Sequence, residues 1–421
     1  MIQTIQLLPG VTFRAFRDSR FKQGCLSFQM IRPMLAEEAS RNAILPAVLL
    51  RGTRRHRDLR AITEHLDSLY GASVGALVRR VGDRQTVGLY CGFMDDRFAL
   101  PGDKVLEPML GFLEELLLEP LVENGGFLPE ILDSEKKNLI STMESELNDK
   151  RAYAMGRLLR TMCREDSFGL PRLGRKEDVA AIESRDLLEH FQKILRESPI
   201  EIFYVGSGDP ETIGQRLKQM LSRVERKPLP MPPQTPLTSG ESGDVTEEMD
   251  VTQGKLCLGF TTSITNRSPE FAAMQLLNAV FGAGMTSKLF MNVREKLSLC
   301  YSIGSGYYST KGIVTVSAGI DSDKEHQTRE EILRQLDACR NGDLTDEELE
   351  AARAALLSSL RGTHDSPGAI EGFYATGILS GLSMTPREYM QALKAVTKEQ
   401  VVAAANSLQL HTTYFLKGGS Q

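Results

Sequence analysis

The stretch FGAGMTSKLFMNVREKLSLCYS, from Phe281 to Ser302, changes backbone period twice within one short segment. Gly282 and Gly284 interrupt an apolar run, Ser287 to Lys296 reads as helix, and from Cys300 onward the residues read as strand. Working outward, a strand at Lys255 to Thr262 and a helical run at Pro269 to Phe281 precede it. Strands at Cys300 to Tyr308 and Gly312 to Ile320 follow.

The same order occurs once more, nearer the N-terminus. There a strand at Cys25 to Ile31 leads to helical runs at Ala36 to Leu50 and Leu59 to Tyr70. Strands at Ser73 to Val81 and Gln85 to Phe93 come next, joined by a turn at Gly82-Asp83. Residues Leu69 to Gly75, LYGASVG, stand where the later block has LCYSIGS at Leu299 to Ser305. Repeated order with local similarity implies a duplicated domain. Each copy continues through several helices to a short strand, Ile200 to Gly206 and His411 to Leu416. Thr345-x-x-Glu348 and Thr397-x-x-Gln400 have the spacing of capping boxes.

Between the copies, Lys227 to Asp244 carries Pro228, Pro230, Pro232, Pro233 and Pro236, then a Ser/Gly stretch around Ser239 to Gly243. Proline fixes φ and removes donors, so the first part should be extended and the second flexible. The expected division is a domain at 1–226, a linker at 227–244 and a domain at 245–421. Hairpins interleaved with helices imply an α+β architecture, a mixed and mostly antiparallel sheet covered by helices in each copy.

Composition narrows the function classes. The chain of 421 residues is 41% hydrophobic and 25% charged, which is globular, and its net charge of −5 comes without a basic stripe for nucleic acid. The six cysteines lie far apart with no Cys-x-x-Cys pair, so buried free thiols in a reducing compartment are expected. No window reaches the roughly 18 apolar residues of a membrane span, and Met1 to Arg14 lacks a leader pattern; a cytoplasmic protein is expected.

The segment Phe281 to Ser302 resembles a signature of the insulinase, pitrilysin and mitochondrial-processing-peptidase family of zinc metallopeptidases: a glycine turn, Ser-Arg-Leu-Phe, Arg-Glu-Lys, then Leu-x-Tyr-Ser. Lys288 replaces the usual arginine. The resemblance implies that Arg294 and Tyr301, seven residues apart, bind substrate and stabilise a tetrahedral intermediate, since guanidinium and phenol offer donors to a carbonyl oxygen gaining charge. It implies also two halves closing around a cavity.

The family's zinc motif, His-x-x-Glu-His, precedes a Lys/Arg-Gly-Thr run, so that two histidines share a helix face and the glutamate activates water. Counting back from Gly52-Thr53, Ala43 and Ala47 stand at the histidine positions and Pro46 at the glutamate. The third ligand position falls at Met143. No ligand set remains, and Pro46 should kink the helix or delay its start. None of the Glu-His pairs at His65, His190 and His326 completes the motif elsewhere; each histidine is expected at the surface or satisfied in the core.

The resemblance is closest to the bacterial YmfF-like group, which lacks the motif. It implies a noncatalytic subunit without cofactor, with zinc in a homologous partner bearing His-x-x-Glu-His, Arg294 and Tyr301 acting in trans on a peptide or small protein, and a possible homodimer when the chain is isolated. The alternative is a peptide-binding or scaffold protein of the same fold with no role in proteolysis.

Overall fold

The computed structural model describes residues 2–237 and 242–418. Its strands are β1 (Ile2–Leu8), β2 (Val11–Arg17), β3 (Gln23–Pro33), β4 (Ser73–Val81), β5 (Arg84–Met94), β6 (Val122–Glu123), β7 (Gly126–Phe127), β8 (Ile200–Gly206), β9 (Gly243–Met249), β10 (Gly254–Thr261), β11 (Ser302–Tyr308), β12 (Ile313–Ile320) and β13 (Gln409–Gly418). One sheet has the order β1-β2-β8-β3-β5-β4 and another β11-β12-β10-β13-β9, while β6 pairs with β7.

Read from its other edge, the second sheet runs β9-β13-β10-β12-β11, strand for strand the counterpart of β2-β8-β3-β5-β4. Directions correspond as well. The pairs β2/β8 and β9/β13 are parallel, and the remaining neighbours are antiparallel. The fold is a duplicated α+β fold, as the repeated order implied, and β1 is an addition to the first sheet alone.

The compact units are not contiguous in sequence. One comprises Met1–Met143, Pro171–Pro233 and His364–Thr376, the other Glu144–Leu170, Gln234–Thr363 and Gly377–Gln421. A division made only at 227–244 therefore misses two exchanged segments, and the reason lies in the central strands. Nine consecutive residues of β3, from Gly24 to Arg32, are buried, so this strand is covered on both faces. Leu26, Phe28 and Met30 meet Ile44, Leu45 and Val48 of the helix Ala36–Leu49 in one apolar cluster. Ser27 and Gln29, on the opposite face, hydrogen-bond to Glu371 of the exchanged segment, at 2.7 and 3.3 Å. Arg79 of β4 closes a bidentate pair on the same carboxylate, at 3.0 and 2.9 Å.

In the other unit the helix Lys150–Met162 plays the matching part. Its Ala154, Leu158 and Met162 pack with Cys257 of β10 and with Tyr414 and Leu416 of β13. The approach is close: a Cβ at Gly259 would overlap the Met162 sulfur, so a larger residue there would displace that side chain. Glu247 of β9 accepts from Tyr153 at 2.6 Å and from Tyr414 at 2.8 Å, with Arg157 at 3.0 Å.

Several local expectations change. The helix Ala36–Leu49 starts on time and passes through Pro46 unbroken. Pro46 sits in its last turn, where the Pro46 carbonyl still accepts from Leu50 N–H at 3.2 Å. The run Ser287 to Lys296 winds as a π-helix over Leu289–Lys296, as does Ala279–Ala283, rather than as ordinary α-helix. In the linker, residues 227–237 lack regular structure but are tied down, Leu229 N–H to Glu197 O at 2.8 Å and Leu237 N–H to Lys311 O at 2.9 Å. Residues 238–241 of the stretch expected to be flexible lie outside the described residues, and Gly243 and Asp244 open β9 instead of ending a linker. Both expected capping boxes form, with a third at Thr385–Glu388.

The Glu371 contacts make a stability prediction. Glu371→Ala leaves Arg79 without its carboxylate and should cost about 3–5 kcal/mol, whereas the joint change Arg79→Met with Glu371→Leu should recover most of that loss. Urea unfolding of both variants measures it, and a single variant as stable as the parent would contradict the role given to this pair.

Candidate functional site

Ala43, Pro46 and Ala47 lie on the helix Ala36–Leu49, and Met143 lies on the helix Pro129–Asn148. Ala43 and Met143 belong to the same buried apolar cluster, Pro46 is buried and Ala47 half-buried. A methyl group, a pyrrolidine ring and a thioether do not supply the imidazole and carboxylate set that zinc requires, so these positions do not fit the metal. Among the described residues, no group of three or more His, Cys, Asp or Glu side chains is placed to hold one. Glu144 and Glu146 are exposed. The histidines His56 and His65 do meet, as rings tilted by 36° with centroids 4.5 Å apart, and His56 Nδ1 lies 3.0 Å from the Glu115 carboxylate.

What lines this helix instead is a buried polar network. Arg32 pairs with Glu38 through two bonds of 2.9 and 2.8 Å, and Lys193 reaches the same carboxylate at 3.0 Å. Burial alone would raise the Glu38 pKa; the Arg32 and Lys193 bonds overcome it and hold it down to about 2. His190 Nε2 donates to Asn42 Oδ1 at 2.7 Å, and Asn42 Nδ2 donates to Gln85 Oε1 at 2.9 Å. Burial lowers His190 to about 4, so it is a neutral, hydrogen-bonded core histidine. All six cysteines are free and buried, as their apolar settings implied.

In the other unit, the chain leaves the π-helix Leu289–Lys296 through Ser298, whose φ of +51° is unusual for a residue with a side chain. Bonds from Ser298 N–H to Arg294 O at 3.1 Å and from Leu299 N–H to Val293 O at 3.0 Å fix that turn. The result brings Arg294 and Tyr301 together: Arg294 Nε donates to the Tyr301 carbonyl at 3.0 Å. The guanidinium lies over the Phe290 ring, 4.6 Å from its centre, and its Nη1 pairs with Glu295 at 2.9 Å. Lys288, where the family signature has arginine, is buried and reaches Glu348 at 2.9 Å, anchoring the π-helix to the helix Asp346–Gly362.

The Tyr301 side chain is 55% exposed, and its hydroxyl donates to Asp321 Oδ1 at 2.9 Å. That bond raises the phenol's pKa and lowers that of Asp321, which Lys324 also holds at 3.2 Å. Arg294, Tyr301, Asp321 and Lys324 border a cleft of about 340 Å³. A phenol has a single proton. While Asp321 accepts it, Tyr301 offers the cleft an acceptor and Arg294 supplies the donors, so Tyr301 can serve a developing oxyanion only by leaving Asp321. Asp321 follows β12, twenty residues along the chain, and nothing in the spacing near Arg294 pointed to it.

Residues 181–356 match the family described as "Peptidase M16 inactive domain". Over 409 residues, 97% of this chain and 96% of the relative, the chain is 30% identical to a Bacillus subtilis (strain 168) protein described as "Probable inactive metalloprotease YmfF". This chain belongs to the M16 peptidase family. The fold agrees: a conserved protein from Enterococcus faecalis V583 superposes with a TM-score of 0.93 at 26% identity, covering 100% of this chain and 99% of that one. A Pseudomonas fluorescens structure described as a peptidase M16 inactive domain has a TM-score of 0.82 at 17% identity, covering 100% and 98%. The chain is thus an M16 homologue of the inactive type.

Two outcomes follow from this geometry. The purified chain, dialysed against a weak chelator, should retain far less than one zinc per chain by elemental analysis, and stoichiometric zinc would refute the reading of those four positions. Stability should also depend on pH through His190. Its folded pKa of about 4 lies below the ordinary 6.5, so only the unfolded chain takes up a proton as pH falls between those values. The His190 contribution is complete above pH 6.5 and declines by about 3 kcal/mol towards pH 4. Glu38 stays ionised in that window. Urea midpoints from pH 7 to 4.5 should fall less steeply in His190→Gln than in the parent.

Proposed function

We propose that this chain is the zinc-free subunit of a heterodimeric, cytoplasmic peptide-processing metalloendopeptidase. It presents Arg294 and Tyr301 to a peptide bound opposite a homologous partner carrying His-x-x-Glu-His. The supporting observation is the cleft beside Arg294, where a guanidinium held by Phe290, Glu295 and the Tyr301 carbonyl faces a space of about 340 Å³. A guanidinium fixed on several sides is preorganised to bind a substrate carbonyl and to gain strength as negative charge develops on it. The partner's metal and glutamate would activate the water. This chain's part is to orient the peptide and, as Tyr301 exchanges Asp321 for the substrate oxygen, to add a second donor.

The alternative is a peptide-binding or scaffold protein, and one observation favours it. Both side chains already have local work, since Arg294 braces the turn at Tyr301 and Tyr301 is tied to Asp321.

The two readings diverge in mutants. Under the first, Arg294→Ala or Tyr301→Phe in the reconstituted heterodimer lowers peptide turnover by about a hundredfold, close to 3 kcal/mol, with thermal unfolding nearly unchanged. Turnover at the parent rate together with parent stability in both variants would rule out action in trans and leave the scaffold.

A further inference from the structure

Within the first unit, a trough of about 710 Å³ lies among the helices Leu106–Leu118 and Ser184–Glu197, the loop that follows the first of these, and the segment after the helix Pro210–Leu221. Its apolar lining includes Leu118, Leu121, Leu188, Phe191 and Val224. Beside it, on the two-residue strand β6, Val122 is left exposed. Leu121 and Phe191 lie in its floor, while Leu118, Leu188 and Val224 are half-buried along it.

Arginines border the same trough, in a chain whose net charge is −5. Two of them are neutralised: Arg57 by Glu123 at 2.6 Å, and Arg223 by Glu114 at 2.6 Å with Glu119 at 3.4 Å. The carboxylate of Glu225 is met by Lys227 at 3.2 Å. Arg54 and Arg196 are exposed and have no carboxylate partner among the described residues. The trough thus combines an apolar lining with two uncompensated guanidinium groups. They arise from separate elements, Arg54 from the loop after the helix Ala36–Leu49 and Arg196 from the last turn of the helix Ser184–Glu197.

We propose that this trough docks an acidic amphipathic segment of a partner protein. Its apolar side chains would lie along the half-buried Leu118, Leu188 and Val224, and carboxylates from different turns would pair with Arg54 and Arg196. The mode is that of a helix laid in a groove, with apolar anchors giving affinity and charge pairs giving register. A guanidinium fork matches a carboxylate through two parallel bonds, which suits arginine to this rim better than lysine. Two positive groups on separate elements call for two carboxylates spaced along the ligand, so a single-headed fatty acid leaves one of them unmet. The site uses none of the residues assigned to peptide turnover and stands whether or not that assignment holds.

The test uses the full chain and a fluorescein-labelled synthetic peptide of leucine and glutamate, with leucines at i, i+3, i+4 and i+7, followed by fluorescence anisotropy. Saturable binding is expected, weakened by added salt and weakened about tenfold or more in the double variant Arg54→Glu with Arg196→Glu. Both side chains are exposed, so thermal unfolding of that variant should match the parent. Arg294→Ala should bind the peptide as the parent does, which separates this surface from the cleft at Tyr301. Absence of saturable binding, equal binding by the double variant, or equal binding of a lysine-for-glutamate peptide overturns the proposal. So does oleate binding with the same arginine dependence, or a dimer of this chain that the double variant dissolves, because each assigns the trough to another occupant.

Discussion

A carboxylate shared between a helix and a sheet is the contact that ties an exchanged segment into each unit. Glu371 is 1% exposed and takes bonds from Ser27, Gln29 and Arg79, so Ser27 Oγ and Gln29 Nε2 reach this carboxylate only when the segment His364–Thr376 is in place. A charge so far from water is tolerated because its partners come from the sheet itself. In the other unit the arrangement is reversed, with the carboxylate Glu247 on the strand and, on the helix, the donor Tyr153 and the ion-paired Arg157. The remaining layers follow from this. A central strand covered on both faces can be apolar on one side and hydrogen-bonded on the other, and the helix Ala36–Leu49 needs to meet only the apolar side.

Much of this architecture was legible in the chain because its signals are local. The hairpin of β4 and β5 announces itself by two alternating runs around Gly82-Asp83, and capping boxes lie within four residues of each other. The strands β1 and β2 escaped notice although IQTIQLL and VTFRAFR flank a Pro9-Gly10 turn, a hairpin signal that could have been read. β9 was hidden by the Pro/Ser/Gly composition leading into it. The exchanged helices could not be read at all. Their amphipathic pattern says that one side is buried, and nothing in it says against which sheet.

The site divides in the same way. Arg294 and Tyr301 were singled out by the resemblance of Phe281 to Ser302 to the family signature, and Ala43, Pro46, Ala47 and Met143 by the same resemblance, aligned on Gly52-Thr53. Asp321 was not, since it comes close only through the return of β12 alongside β11. Nor was the π-helical winding of Leu289–Lys296, since Ser287 to Lys296 reads only as helix in the sequence. The hydrogen bond that Tyr301 donates to Asp321 decides what the phenol can do, and it belongs to a contact that no reading of adjacent residues contains.

The exchanged segments also impose an order on synthesis. A ribosome releases the strands β1 to β5 and β8 within the first half of the chain, yet the segment bearing Glu371 emerges some 165 residues after the end of β8 (371 − 206). Throughout that interval the first sheet is complete in its hydrogen bonds but bare on the face of Ser27, Gln29 and Arg79. The first unit therefore cannot mature as an N-terminal domain ahead of the rest, as domains made in sequence usually do. Its last piece arrives when the second unit is itself nearly whole, and the two must finish folding together.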